Sequence, residues 1–350
     1  MNMNKNKNKN KMFRVAVLGA TGAVGREILA ILDERRFPAS EVIALASARS
    51  EGTEVSFGKR RLAVQVARPE AFEGIDIVLA SAGSAVARKL LPAAVERGAI
   101  CVDNSSAFRM DADVPLVVPE VNPEAVASHG GIIANPNCST IQLVVAIKAL
   151  HDAARILRIV VSTYQSVSGA GQKGIEELSK QSIALFNQKP YDVSAHEARI
   201  AFNCVPHIGP FGEDGYTQEE LKLLYETRKI MADESIEVCP TAVRVPVFAG
   251  HGESINLQFE RPLSADEARE LLAAAPGVTV IDDPARKKYP MQMDCAEKDD
   301  VFVGRIRIDR SVPHGLALWV VSDNLRKGAA TNAVQIAELV VAMERHRAEA

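Results

Sequence analysis

Apolar positions along the chain fall into two textures. From Phe13 to Arg36, "FRVAVLGATGAVGREILAILDERR" reads as a short buried strand, a glycine turn and a helix with apolar residues at helical spacing. Strand-like runs follow at "VIALAS", "LAVQVA" and "IDIVLASAG", then a helical segment "SAVARKLLPAAVERG", then the strand of "AICVDNSS". Short apolar runs that alternate with helical patterns predict βαβ units and a parallel sheet. Beyond about residue 155 the runs lengthen and alternate: "ILRIVVSTYQSVSG", "TAVRVPVFAG", "ESINLQFE", "VFVGRIRIDR" and "GLALWVVSDN". They predict a mixed or antiparallel sheet covered on one face. "GAATNAVQIAELVVAMERHR" predicts an amphipathic closing helix, and neither an internal repeat nor a Pro/Ser-rich linker separates the two textures.

Composition narrows this only a little. A chain of 350 residues is comfortable for two domains. Hydrophobic content of 47% and charged content of 24% are ordinary for a globular protein, and the net charge of −3 gives no reason to expect nucleic acid or an anionic membrane as partner. No apolar stretch is long enough to span a bilayer. The start, "MNMNKNKNKNK", lacks the pattern of a targeting peptide and is expected to be a disordered tail over residues 1–11. Five scattered cysteines, Cys101, Cys138, Cys204, Cys239 and Cys295, with no CxxC, speak against a disulfide framework or a metal site and for a reducing cytoplasm.

The first glycine turn carries candidate chemistry. "GATGAVG" places Gly19, Gly22 and Gly25 after a strand and at a helix start, where the backbone can approach a pyrophosphate and free N–H groups can hold it. The next strand ends in Ser47-Ala48-Arg49-Ser50, with no acid before Glu51. A carboxylate there would accept from a ribose 2′-hydroxyl; an arginine flanked by serines suits a 2′-phosphate, so NADP is favoured over NAD.

"ANPNCSTIQLVVAIKAL" sets Cys138 where a strand-like run (131–134) stops, Pro136 bends the chain and a helix begins. A helix N-terminus stabilises a thiolate, and its N–H groups can stabilise the oxyanion of an adduct on that sulfur, with the Asn137 side chain as a further donor. Cys101 and Cys239 read instead as small core hydrophobes. Among seven histidines, His129, His151 and His346 lie in helical or polar surroundings and read as solvated, whereas "RVPVFAGHGES" delivers His251 from a strand end into a glycine-flanked loop.

Taken together and in order, "GATGAVG", "NSSAFR", "NPNCST", "YQSVSGAG", "ETRK", "RVPV…GH" and "VVSDNLRKGAA" resemble the aspartate-semialdehyde dehydrogenases of the bacterial type, from Met12 to about Ala342. The resemblance implies an α/β fold: an N-terminal Rossmann-type doubly wound parallel sheet, which binds NADP, over 12–137 plus 326–350, and a second α/β (α+β) catalytic and dimerisation domain with a mixed sheet over 138–325. It implies a cytoplasmic homodimer acting in lysine (diaminopimelate), threonine, methionine and isoleucine biosynthesis.

Carried over to this chain, the resemblance makes Cys138 the nucleophile that forms an acyl-thioester and His251 the general acid/base, with Gln165 and Asn137 positioning the reacting groups. Arg244 would pair with a substrate α-carboxylate and Glu226 with its α-ammonium, while Lys229 and Arg109 would hold phosphate. For the cofactor it implies Gly19, Thr21, Gly22, Ala23, Val24, Ser47, Arg49 and Ser50, with Ser168, Gly169 and Asn324 toward the nicotinamide. The implied reaction is reversible reduction of L-4-aspartyl phosphate to L-aspartate 4-semialdehyde and phosphate.

Two rivals stand beside it. An N-acetyl-γ-glutamyl-phosphate reductase would carry a Gly-Cys-Tyr type motif where this chain has Asn137-Cys138-Ser139, and would leave Glu226 without an ammonium to bind. A non-catalytic NADP-binding dimer would have no use for Cys138, Gln165, Arg244 and His251 together.

Overall fold

A computed structural model describes residues 11–347, so the expected tail lies almost wholly outside the described residues. The chain divides into two units, the described residues 11–136 with 329–347, and residues 137–328.

In the first unit the elements run β1 (Phe13–Leu18), α1 (Ala23–Glu34), β2 (Ala39–Ala46), β3 (Glu54–Phe57), β4 (Arg60–Val66), β5 (Ile77–Ala80), α2 (Ser84–Val95), β6 (Ile100–Asp103) and β7 (Ile132–Ala134). Their sheet has the order β3-β4-β2-β1-β5-β6-β7, parallel throughout except for the β3–β4 hairpin at one edge. Both faces are covered, which is why its strands read as continuous apolar runs. Val15 and Val17 of β1 point to the core made by Ile28, Leu29 and Leu32 of α1, and Ala16 and Leu18 to the core made by Leu90, Leu91 and Ala94 of α2. The first core also takes Val334, Ala337 and Val340 from the helix Thr331–Arg347.

The strand order reverses at β1, so the carboxyl ends of β1 and β5 form the crevice where such sheets bind nucleotides. Gly19 follows β1 there. It has φ +87, and a Cβ on it would sit 2.9 Å from the Ser81 carbonyl carbon. Gly25 lets α1 close onto the turn: a Cβ would fall 2.2 Å from the Gly19 oxygen. One glycine is set by conformation and the other by contact.

The second unit runs α3 (Cys138–Ala154), β8 (Ile156–Gln165), α4 (Gln172–Phe186), α5 (Gln218–Met231), β9 (Glu237–Arg244), β10 (His251–Phe259), α6 (Ala265–Ala274), β11 (Val278–Val280), a short α7 (Gln292–Cys295), β12 (Val301–Asp309) and β13 (Gly315–Ser322). Its six-stranded sheet, β11-β12-β13-β10-β8-β9, is mixed: antiparallel in the middle, with parallel pairs β11–β12 and β8–β9 at the two edges. Helix α3 packs on this sheet beside helices α5 and α6, which themselves contact its edge strands. Every residue from Ser139 to Ile147 is buried, the polar Ser139, Thr140 and Gln142 among them, as expected of a helix that is mostly apolar all round. The helix opens outward at half-buried Cys138 in its first turn and again near its C-terminal end, where Asp152 and Ala153 are exposed. The remaining long helix, Thr331–Arg347, is α8. No helix among the described residues is long and apolar enough to cross a membrane.

Substituting Gly25 by Ala should lower unfolding stability by about 1–3 kcal/mol, because the added carbon meets fixed backbone. Gly22→Ala, with φ −75 and a nearest contact at 3.3 Å, should cost less. Urea unfolding of the two variants measures the difference; equal stabilities would contradict the packing described.

Candidate active site

Two carboxylates organise the start of α3. The Asn137 backbone N–H donates to Glu226 Oε2 at 2.7 Å, its Nδ2 donates to Glu219 Oε1 at 3.0 Å, and its Oδ1 caps the helix by accepting from the Ser139 N–H at 3.0 Å. The donors expected to surround the thiol are therefore partly spent: the Ser139 N–H and one N–H of the Asn137 amide already have partners. Glu226 and Lys229 lie three residues apart on α5, the glutamate buried and the lysine half-buried. At the back of Cys138 the chain comes close again, since a Cβ on Gly328 would stand 2.9 Å from the Cys138 Cβ.

The carboxyl ends of the neighbouring strands β8 and β9 supply the next groups. Gln165 donates from Nε2 to Glu219 Oε1 at 3.1 Å and to Thr163 Oγ1 at 3.4 Å. Arg244, buried, donates from Nη1 to the Ser166 carbonyl at 2.8 Å. Burial lowers the affinity of Arg244 for its proton, and the charges of Glu219 and Cys138 counteract that. Gly169 leaves room for this group: a Cβ would lie 2.7 Å from Arg244 Nη1 and 3.4 Å from His251 Nε2.

His251 is the first residue of β10, not a loop residue, and it is fully buried. Its Nδ1 accepts from the Ser166 N–H at 3.1 Å, so the neutral ring carries its proton on Nε2. That Nε2 is buried and has no hydrogen-bond partner. Burial and the Arg244 charge push the imidazole down to about 3, so at neutral pH it is an uncharged donor. Asn324 ties the same corner together: its Oδ1 accepts from the Gly250 N–H at 3.0 Å and from the Ser166 and Ser168 hydroxyls at 3.1 Å each. Two residues beyond His251, and so on the same strand face, Glu253 is buried, and burial pushes its carboxyl well above the usual range against the pull of the Gln142 side chain.

The first unit holds the other candidates. Gly19 to Val24 form the turn after β1, with Gly22 as an N-cap that has no side chain to close the helix end. Its free N–H groups and the glycine clearances fit a dinucleotide diphosphate. Ser47, Arg49 and Ser50 lie at the 3₁₀ turn after β2, with Arg49 exposed. Arg109 is buried, donating from Nε to the Asn135 carbonyl at 2.9 Å and from Nη2 to the Asn104 carbonyl at 2.8 Å.

Three sequence expectations change. Cys239 is exposed, because it lies on edge strand β9 with its side chain on the face opposite buried Pro240 and Ala242. His129 and His151 are half-buried and not solvated, and burial lowers both below the usual imidazole range. Glu219 went unread altogether. Its place in the first turn of α5 gives no signal of its own, since an acid there is explained by the helix dipole alone.

Fold and site together are those of a dehydrogenase with a dinucleotide-binding unit and a second unit that bears a half-buried cysteine. Residues 14–129 match the family profile "Semialdehyde dehydrogenase, NAD binding domain", and residues 147–327 match "Semialdehyde dehydrogenase, dimerisation domain". The chain is 56% identical to the aspartate-semialdehyde dehydrogenase of Aquifex aeolicus, over 94% of this chain and 98% of that one. Its fold is similar to aspartate semialdehyde dehydrogenase II from Vibrio cholerae complexed with ASA, with TM-score 0.92, 49% identity and coverage of 95% and 98%. A Candida albicans aspartate semialdehyde dehydrogenase with NADP gives TM-score 0.73 at 28% identity, covering 94% of this chain and 98% of that one. The chain belongs to the aspartate-semialdehyde dehydrogenase family and is an oxidoreductase of amino-acid biosynthesis.

The neutral state of His251 has a stability consequence. Its folded pKa lies below the unfolded value, so its contribution is present above about pH 6.5 and is lost as pH falls toward about 3. Relative to His251→Gln, the wild-type chain should lose unfolding stability across that window. Urea unfolding of both at several pH values measures it, and parallel profiles would contradict a buried neutral ring.

Proposed function

We propose that the chain, as a cytoplasmic homodimer, catalyses NADP-linked interconversion of L-4-aspartyl phosphate with L-aspartate 4-semialdehyde and phosphate. The observation that carries this reading is a half-buried thiol at the head of a helix whose next nine residues are all buried, in the same unit as buried Arg244 and a buried imidazole with an unspent N–H. In the reductive direction the Cys138 sulfur attacks the acyl carbon; a C–S bond forms, and the C–O bond to phosphate breaks with its electrons leaving on phosphate. Arg244 grips the substrate α-carboxylate, Glu226 faces the α-ammonium, and Lys229 and Arg109 receive the phosphate. The nicotinamide dinucleotide, when bound, supplies the hydride that takes the thioester to the tetrahedral level. His251 Nε2–H donates to the oxyanion of that adduct, and it does so as a neutral group with its ring orientation held by the Ser166 N–H. The C–S bond then breaks, the carbonyl re-forms and the sulfur leaves as thiolate. Gln165 and Asn137 hold the reacting groups in place, and Ser168, Gly169 and Asn324 shape the nicotinamide end.

NADP is favoured over NAD because the turn after β2 presents Arg49 between Ser47 and Ser50, with no acid there before Glu51. The Candida albicans relative solved with NADP supports the same choice.

Two measurements test the proposal. Cys138→Ser should lower turnover of aspartate semialdehyde, phosphate and NADP by on the order of a thousandfold or more while nucleotide binding persists, and full activity would overturn the nucleophile assignment. Arg49→Ala should cost about 10- to 100-fold in kcat/KM with NADP and little with NAD, as expected for a charge-assisted contact to phosphate. An equal loss with both cofactors would remove Arg49 from the 2′-phosphate site.

A further inference from the structure

Glu219 is a buried carboxylate at the second position of α5 with three side-chain donors converging on it: Asn137 Nδ2 at 3.0 Å, Gln165 Nε2 at 3.1 Å and Lys222 Nζ at 2.9 Å. Two of these three are groups placed in the site above, and they come from different elements, the start of α3 and the end of β8. We propose that Glu219 is a positioning residue of the reaction, which sets the orientation of the Asn137 and Gln165 carboxamides. The inference rests on the roles proposed above for those two residues.

The chemistry is directional. A carboxamide can turn over and exchange its oxygen for its NH2 at little cost unless a neighbour accepts only one of them. An ionised carboxylate has no proton to give, so each amide must present NH2 to it. For Asn137 the opposite end agrees: its Oδ1 accepts from the Ser139 N–H, so the carboxylate and the helix amide demand the same orientation. For Gln165 both amide protons are spent, one on Glu219 and one on Thr163 Oγ1, and the group it has left to offer a substrate is the Oε1 acceptor. Orientation therefore depends on Glu219 staying charged. Burial works against that charge, but Lys222 together with the Gln165 and Asn137 donors overcomes it and holds the carboxyl at about 2.

A structural glutamate and a positioning one make different predictions in a double-mutant cycle. Glu219→Gln keeps size but can donate as well as accept, so it no longer dictates either amide. Expected is a fall in kcat of about 10- to 100-fold, the range of a lost charge-assisted hydrogen bond, with nucleotide KM unchanged. Added to Gln165→Ala, the same change should cost clearly less than it does in the wild-type chain, because one of the groups it orients is already gone. A kcat for Glu219→Gln within about twofold of wild type, or penalties that multiply in the double variant, overturns the proposal. Should Glu219→Gln fail to fold, Glu219→Asp takes its place; it keeps the charge and withdraws it by one methylene. That variant should melt near wild type and still lose kcat, and full activity in it overturns the proposal equally. Cys138→Ser reports on the catalytic reading separately, so a failed nucleophile and a failed positioning role give different patterns.

Discussion

A helix that starts in the interior must find partners for N–H groups that its own turns cannot satisfy. Helix α3 does so with acids from a different helix. Glu226 takes the Asn137 backbone N–H and Glu219 takes its side chain, so α5 and the thiol-bearing turn are joined by hydrogen bonds to charge. Such bonds are roughly twice as strong as neutral ones, and losing one partner would strand a buried anion. Much of the site's geometry is hung from this junction. Through Glu219 it reaches Gln165 at the end of β8, and the capping glutamate Glu220 extends it to β9 by accepting from the Ala242 N–H at 2.9 Å.

Charge in the second unit is arranged with little to spare. Arg244 is a buried cation and Glu219 a buried anion; burial and the Arg244 charge keep His251 neutral, and burial pushes the Glu253 carboxyl upward. A neutral imidazole beside an arginine is unusual only if histidine is expected to act as a cation. As an N–H donor it needs no charge, and it avoids repelling the guanidinium close to it.

The periodicities were legible because they follow directly from burial. Strands covered on both faces read as continuous apolar runs, and the glycine turn announced itself through residues that admit no Cβ. The half-buried placement of Cys138 was legible for a related reason: a polar turn before a largely apolar helix is a poor place for a core cysteine. The short strand β3 was missed, since four residues carry too little pattern. Cys239 was misjudged because its strand is apolar on average, and sequence does not say that the strand lies at an edge. His251 looked like a loop residue since glycines flank it, yet those glycines serve close packing: a Cβ on Gly252 would meet the Trp319 ring at 2.7 Å. Glu219 illustrates the deeper limit. Its significance lies in what α3 and β8 bring to it, and that is information about tertiary structure alone.

Helix α8 contributes Val334, Ala337 and Val340 to a core whose other members lie before residue 134. The nucleotide-binding unit is thus sewn shut by the last helix described, after an excursion of 192 residues through the other unit, from Asn137 to Gly328. During synthesis its seven strands emerge early, and α1 covers part of one face, but that face cannot be fully buried until the ribosome has finished nearly everything else. The part of the chain made first has to wait longest for its final shape.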